Sequence, residues 1–209
     1  MLRRRALAGA GAATNAGEGR QGMTDIIAAL REEHAHIGQL LDILERQIAI
    51  FDRGEVPDYD IVEGVVDYFQ SYPDLYHHPK EDLVFHRLQI RDPEAAAVVG
   101  DLRQEHDELA ARTREFAEAI RAVLDDAQVP RESFGQWAHR FIDFQRRHMA
   151  HEERTLLPAA RAALTKEDWA EIEGRCRDQE DPLFGSEVGD RYEALRRDIL
   201  LWERESGGA

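Results

Sequence analysis

Two segments of this chain, 71 residues apart, repeat the same pairing of metal-binding side chains. The first segment contains His77 and Glu81, and the second contains His148 and Glu152, so each histidine comes four residues before a glutamate. Residues four apart lie on one face of an α-helix, and each segment can therefore offer both side chains to the same ion. The repeat constrains the fold, because two helices must direct these faces toward one interior.

A lone histidine precedes each pair at a similar distance: His34 lies 43 residues before His77, and His106 lies 42 residues before His148. Both lone histidines belong to stripes whose members are spaced alternately by three and four residues. The first stripe consists of Ile27, Leu30, His34, Ile37, Leu41, Leu44, Ile48 and Phe51. The second consists of Val99, Leu102, His106, Leu109, Thr113, Phe116, Ile120 and Val123. This spacing is typical of helices in a bundle, so His34 and His106 are predicted to face the core.

The histidine–glutamate pairs lie on two further predicted helices. One runs from about Asp58 to Tyr72 and meets Pro73 and Pro79, which predict a kink or a break there. The other is predicted to end at Pro158, and its stripe consists of Phe134, Trp137, Phe141, Phe144, His148, Glu152 and Leu156. Four helices with short connections, alike in pairs, predict an all-α, antiparallel four-helix bundle built from a repeated helix pair.

Local signals mark the ends of these helices. Thr24 is the predicted N-cap of the first helix, and Gly54 is predicted to end it in the left-handed conformation. Pro93 suits the first turn of the helix that follows the second one. Asp125 and Pro130 are predicted to break the chain before the fourth helix.

The bundle is predicted to span residues 23–160, with additional C-terminal helices after it. Residues 1–22 are rich in Ala and Gly after a short basic start, and we interpret them as a flexible leader that need not be native. Thr165 to Asp168 resembles a capping box that opens a short helix, and a last helix is predicted from about Val188. We interpret residues 161–209 as a helical extension that packs on the bundle or forms a homodimer contact.

Composition excludes several classes of function. The net charge of -15 argues against nucleic acid and anionic membranes as partners, because both are polyanions. The single cysteine, Cys176, excludes an intrachain disulfide and any metal site built from several cysteines. A protein of this kind fits the reducing cytoplasm, and no apolar run approaches the length that spans a membrane.

Buried carboxylates favour a metal centre over a metal-free core. Burying Glu81 and Glu152 without cations would cost on the order of several kcal/mol each, and two divalent ions would supply the missing charge. Imidazole and carboxylate ligands without thiolate suit iron, manganese or zinc. The ferritin-type arrangement needs two Glu-x-x-His pairs, whereas only Glu33 and His36 show that spacing here. The His-Glu-x-x-His pattern of zinc proteases is absent.

Over residues 23–160 the chain resembles the hemerythrin-like (HHE cation-binding) family. The motifs that carry the resemblance are Glu33-His34, His77-His78-Pro79-Lys80-Glu81, Glu105-His106 and His148-Met149-Ala150-His151-Glu152-Glu153. The resemblance implies a non-haem di-iron centre inside the bundle, bridged by two carboxylates and an oxo or hydroxo group, with zinc or manganese as alternative metals. The implied metal ligands are His34, His77, Glu81, His106, His148 and Glu152.

The chain departs from the oxygen-carrying hemerythrins at two positions. Those proteins have a fifth histidine four residues after the lone histidine of the third helix, where this chain has Ala110, and an aspartate five residues after the histidine of the fourth helix, where it has Glu153. The pattern is closer to the symmetric four-His, two-Glu branch, which resembles proteins that protect or repair iron sites under stress. If the four histidines divide evenly, both ions keep an open position.

The expected function is therefore that of a di-iron protein that binds or responds to oxygen, nitric oxide or peroxide, in iron handling or stress protection. Two alternatives remain: a di-iron enzyme that consumes peroxide or nitric oxide, and a zinc-stabilised structural bundle that acts through its C-terminal helices. His78 and His151 adjoin the predicted ligands and are expected to orient them or to lie at the rim of the site. His36 is predicted to point away from the site.

Overall fold

The computed structural model describes residues 18–124, 130–176, 181–185 and 192–206. Within these ranges the regular elements are all helical, which confirms the predicted all-α class. In chain order they are α1 (Glu18–Asp52), α2 (Tyr59–Phe69), a π-helical turn (Pro73–His77), α3 (His78–Arg91), α4 (Pro93–Val99), α5 (Leu102–Leu124), α6 (Arg131–Arg154), α7 (Leu156–Ala163), α8 (Lys166–Arg175) and α9 (Glu193–Ser206). The predicted break at Asp125, the predicted helix start at Val188 and the leader up to residue 17 lie outside the described residues.

Four helical segments form the predicted bundle: α1, the segment from α2 through the π-helical turn to α3, α5, and α6. Helix α6 packs against both α1 and α5, while α5 also packs against α2 and α3. Short helices α4 and α7 pack on each other and on α3 at one end of the bundle. Among the described helices, none combines the length and the apolar character needed to cross a bilayer.

Predicted helix signals are confirmed at several boundaries. Gly54 adopts a φ of 89°, which ends α1 in the left-handed conformation that glycine tolerates best. The side chain of Asp58 caps α2 by accepting hydrogen bonds from the backbone N–H groups of Asp60 and Ile61. Pro93 occupies the first turn of α4, where its missing N–H costs nothing.

Three helix boundaries differ from the prediction. Helix α1 begins at Glu18, so Thr24 lies inside it and is not its N-cap; no proline between these residues stops the helix. Helix α6 ends at Arg154, and Pro158 lies in the first turn of α7, where the ring does not break hydrogen bonds. Gly100, with a φ of 87°, separates α4 from α5, although the apolar stripe runs across both.

The C-terminal helices lie on the bundle in this structure. Helix α8 packs against α1 and α3, and it buries Trp169 almost completely. Thr165 and Asp168 form the predicted capping box at its start. Helix α9 packs against α1 and α2. Burial of these apolar side chains stabilises the extension against the bundle.

The apolar core consists of two clusters separated by a polar layer. One cluster includes Ile37, Leu41, Leu44, Val65, Phe69, Phe116 and Phe141. The other includes Leu30, Val84, Leu88, Leu102, Leu156 and Trp169. Along α1, Leu30 belongs to the second cluster and Ile37 to the first, so His34 lies between them. A polar layer inside a bundle is costly unless its groups are paired or bind cations.

Candidate metal centre

The structure brings the six predicted ligands together in the polar layer. Helix α1 contributes one, the π-helical turn and α3 contribute two, α5 contributes one and α6 contributes two. They are His34, His77, Glu81, His106, His148 and Glu152, and all six are buried. The side chains of Glu81 and Glu152 are 0% exposed, so water cannot solvate their charge.

The carboxylate of Glu81 lies between two pairs of histidines. Its Oε1 atom is 3.2 Å from Nε2 of His34 and 3.4 Å from Nε2 of His77. We call these two residues the first histidine pair. Its Oε2 atom is 3.5 Å from Nε2 of His106, which forms the second histidine pair with His148. One oxygen thus faces each pair.

Glu152 repeats this arrangement from the opposite helix. Its Oε2 atom is 3.4 Å from Nε2 of His34, a member of the first pair. Its Oε1 atom is 3.5 Å from Nε2 of His106 and 3.3 Å from Nε2 of His148, which are the second pair. Each carboxylate can therefore bind one ion with each oxygen, as a bridging ligand does.

Several of these atoms have no adequate partner among the described residues. Glu81 Oε2, His106 Nε2, His148 Nε2 and both carboxylate oxygens of Glu152 are buried without a hydrogen bond of acceptable geometry. An unsatisfied buried polar atom costs about 1–3 kcal/mol, and more when it is charged. Five such atoms converging on one volume fit the donor set of a metal centre, because a cation would satisfy them together.

Each predicted histidine ligand is oriented by a carboxylate that contacts Nδ1, the ring nitrogen other than Nε2. The Nδ1–carboxylate distances are 3.1 Å for His34 with Glu153, 2.7 Å for His77 with Glu33, 3.1 Å for His106 with Asp82, and 3.1 Å for His148 with Glu105. A carboxylate accepting from Nδ1 fixes the tautomer that leaves Nε2 free to bind a metal. All four Nε2 atoms are thus prepared to act as ligands.

The match to known proteins agrees with this geometry. Residues 25–160 match the family of the hemerythrin HHE cation-binding domain. The chain belongs to this family. No curated protein and no solved structure matches the chain significantly. Membership of the HHE family and the cluster of histidine and glutamate side chains together identify cation binding as the function of the bundle.

The orienting carboxylates of this HHE domain were missed in the sequence, although they leave a signal there. Glu33 precedes His34 as Glu105 precedes His106, and an acidic residue follows each glutamate of the predicted ligand set. The structure shows that each acidic neighbour serves a histidine of another segment: Glu33 contacts His77, and Glu105 contacts His148. Because the acidic neighbours are repeated together with the ligands, the duplication marks them as candidates, although it does not show which histidine each one contacts.

A second layer of polar contacts surrounds two of these carboxylates. Lys80 donates a hydrogen bond to Glu33, and the hydroxyl of Tyr72 donates to the same carboxylate at 3.4 Å. At the matching position of the repeat, His151 Nδ1 lies 3.4 Å from Glu105, and its side chain is 28% exposed. His151 therefore lies at the rim, where it was expected, and His36 stacks on Phe184 away from the metal centre.

His78 was expected to orient the ligands or to lie at the rim, and the structure places it deeper than the rim. It is buried, and one of its ring nitrogens lies within 4.8 Å of ligand atoms of Glu81, His106 and His148. Its Nδ1 atom is 3.3 Å from Asp74, the same kind of contact that orients the other histidines. Burial lowers the pKa of His78 to about 4, so its imidazole is neutral at physiological pH.

Two of the predicted ligands, His34 and His106, are protonated at neutral pH when no metal is bound. Burial alone would lower the pKa of His34, but the nearby carboxylate of Glu152 and a hydrogen bond to Glu81 outweigh it and raise the pKa to about 11. For His106, burial is likewise outweighed by the hydrogen bond to Asp82 and the nearby carboxylate of Glu152, which raise its pKa to about 11. Protons thus supply part of the positive charge that a metal would bring.

Metal loading is expected to release protons from this cluster. At neutral pH, His34 and His106 must each lose a proton before Nε2 can bind an ion, so loading should release about two protons per chain. Protonation competes with the metal, and the apparent metal affinity should therefore rise as the pH is raised from about 6 to 9. A pH indicator in weakly buffered solution measures the release, and loading without proton release would contradict this protonation state.

Proposed function

We propose that this HHE domain binds two iron ions between its first and second histidine pairs, and that it binds or responds to oxygen, nitric oxide or peroxide. The observation that supports the proposal is the placement of Glu81 and Glu152, each with one oxygen facing each histidine pair. Two carboxylates arranged in this way are suited to bridge two ions. A single ion would leave oxygens and imidazole nitrogens on the far side unsatisfied.

The donor set favours iron, with manganese or zinc as the alternatives. Imidazole nitrogens and carboxylate oxygens suit all three metals, and no thiolate is present in the cluster. When bound, a pair of iron ions supplies redox chemistry with small oxygen- and nitrogen-containing molecules. The chain supplies the ligands, orients them through the surrounding carboxylates, and excludes water from Glu81 and Glu152.

Open coordination positions support binding of a small external molecule. Two bridging carboxylates and four histidines supply about eight of the twelve positions of two octahedral ions. The remaining positions are left for an oxo or hydroxo bridge and for exogenous ligands. Ala110 and Glu153 set the chain apart from the oxygen carriers, and we assign it to the symmetric four-His, two-Glu branch, with a role in iron handling or stress protection in the cytoplasm.

Spectroscopic titration of the iron-loaded protein tests this function. We expect the di-ferric or di-ferrous absorption spectrum to change on addition of nitric oxide, oxygen or peroxide, with a stoichiometry of one iron pair per chain. A stable adduct supports binding or sensing, whereas steady consumption of peroxide or nitric oxide supports the enzyme alternative. The proposal would be contradicted by protein that is colourless and contains only zinc after growth in iron-rich medium, and whose spectrum does not change with any of the three molecules.

The matched control for this titration is His36→Ala. His36 lies on the same helix as His34 but stacks on Phe184 outside the metal centre. Its replacement should leave both the iron content and the spectral response unchanged. A large loss of iron in this variant would show that the ligands have been assigned to the wrong face of α1.

A further inference from the structure

His77 and His78 are consecutive residues, yet both side chains face the interior of the bundle. In a regular α-helix, successive side chains point about 100° apart, so only one of two consecutive side chains can point directly into the core. Here the backbone N–H of His78 donates to the carbonyl oxygen of Pro73, five residues earlier, which closes a π-helical turn. Pro73 and Pro79 favour this irregular turn because neither has an N–H for regular helical hydrogen bonds.

The surroundings of His78 are those of a ligand. A nitrogen of its ring belongs to the same group of possible metal-binding atoms as Glu81, His106 and His148. Its ring stacks on that of His106, with centroids 4.4 Å apart and planes 17° apart. Since Asp74 contacts Nδ1 at 3.3 Å, Nε2 is the nitrogen left for an ion.

The internal repeat shows that His78 has no equivalent on the other side of the site. Other residues of the two motifs correspond: His77 with His148, and Glu81 with Glu152. The residue that corresponds to His78 is Met149. Met149 is partly buried and packs against the apolar cluster. The second histidine pair therefore has an additional imidazole beside it, and the first pair does not.

We propose that His78 is a third imidazole ligand of the ion bound by His106 and His148, so that the two ions of the centre are inequivalent. This inference rests on the proposed two-ion function. The ion at the second pair would receive five donor atoms, from three histidines and one oxygen of each bridging glutamate, whereas the ion at the first pair would receive four. The ion at the first histidine pair would therefore keep more coordination positions open.

The variant His78→Met tests the proposal, because methionine already occupies the corresponding position of the repeat and a thioether is a poor ligand for ferric iron. The protein is loaded with ⁵⁷Fe and its Mössbauer spectrum is recorded in the di-ferric state. For the wild-type protein we expect two quadrupole doublets of equal area, one from each ion. For His78→Met with two irons per chain, we expect the doublets to merge into one.

The control is His86→Met, which changes an exposed histidine of the same helix and should keep the wild-type spectrum. A single doublet in the wild-type protein, or an unchanged pair of doublets in His78→Met, overturns the role of His78 while leaving a two-iron centre intact. Wild-type protein without an iron pair overturns the proposed function itself. If His78→Met holds fewer than two ions, His78→Ala is titrated with imidazole: recovery of the second ion supports ligation, and failure to recover it opposes ligation.

Discussion

Replacing Glu81 by alanine is expected to remove most of the bound metal, from about two ions per chain to well below one. Glu81 faces His34 and His77 with one oxygen and His106 with the other, so its loss weakens both ions at once. The histidines that remain would lose the negative charge that balances the cations. Metal analysis of the purified variant after growth in iron-rich medium measures the effect.

The control for this substitution is Glu32→Ala, which removes an exposed carboxylate near the site in the sequence. Its metal content should match that of the wild-type protein. Circular dichroism of Glu81→Ala should still show a helical protein, because the two apolar clusters do not depend on Glu81. Two ions per chain retained by a folded Glu81→Ala variant would rule out its role as a bridge.

Removing the metal from the wild-type protein is expected to lower its free energy of unfolding substantially. A ligand that binds only the folded state at a thousand times its dissociation constant contributes about 4 kcal/mol, and two tightly bound ions contribute more. Without the ions, the carboxylates of Glu81 and Glu152 stay buried and depend on protonated His34 and His106 for compensation. We therefore expect the metal-free protein to remain folded but to unfold at a lower denaturant concentration.

Chemical denaturation with and without a chelator measures this difference. The Glu81→Ala variant provides the control, since a protein that no longer holds the metal should not respond to the chelator. Restoring iron to the metal-free wild-type protein should restore its stability. Equal midpoints for the loaded and metal-free proteins would show that the polar layer is satisfied without cations.

The bundle and the convergence of its ligands could be predicted because both depend on periodicity. The alternation of three and four residues places His34 and His106 on buried helix faces whatever the details of packing. The histidine–glutamate spacing of four residues likewise places both side chains of each motif on one face of their helix. Prolines and glycines marked several boundaries correctly, including the break near Pro73 and the end of α1 at Gly54.

The depth of His78 could not be predicted from periodicity, because a π-helical turn changes the phase of the helix at that point. Two prolines predict an irregularity, but they do not specify which neighbouring side chain turns inward. The orienting carboxylates were missed for a different reason: each acts on a histidine from another segment, as Asp82 does on His106. Contacts of this kind depend on how the helices are placed side by side, which local spacing does not determine.

The number of iron ions per chain is the most direct test of a two-ion centre bridged by Glu81 and Glu152. It is measured on protein purified from iron-rich medium, with zinc and manganese determined on the same sample. The arrangement of carboxylate oxygens between the two histidine pairs predicts two irons per chain. One iron per chain or none, in folded protein, would contradict the account.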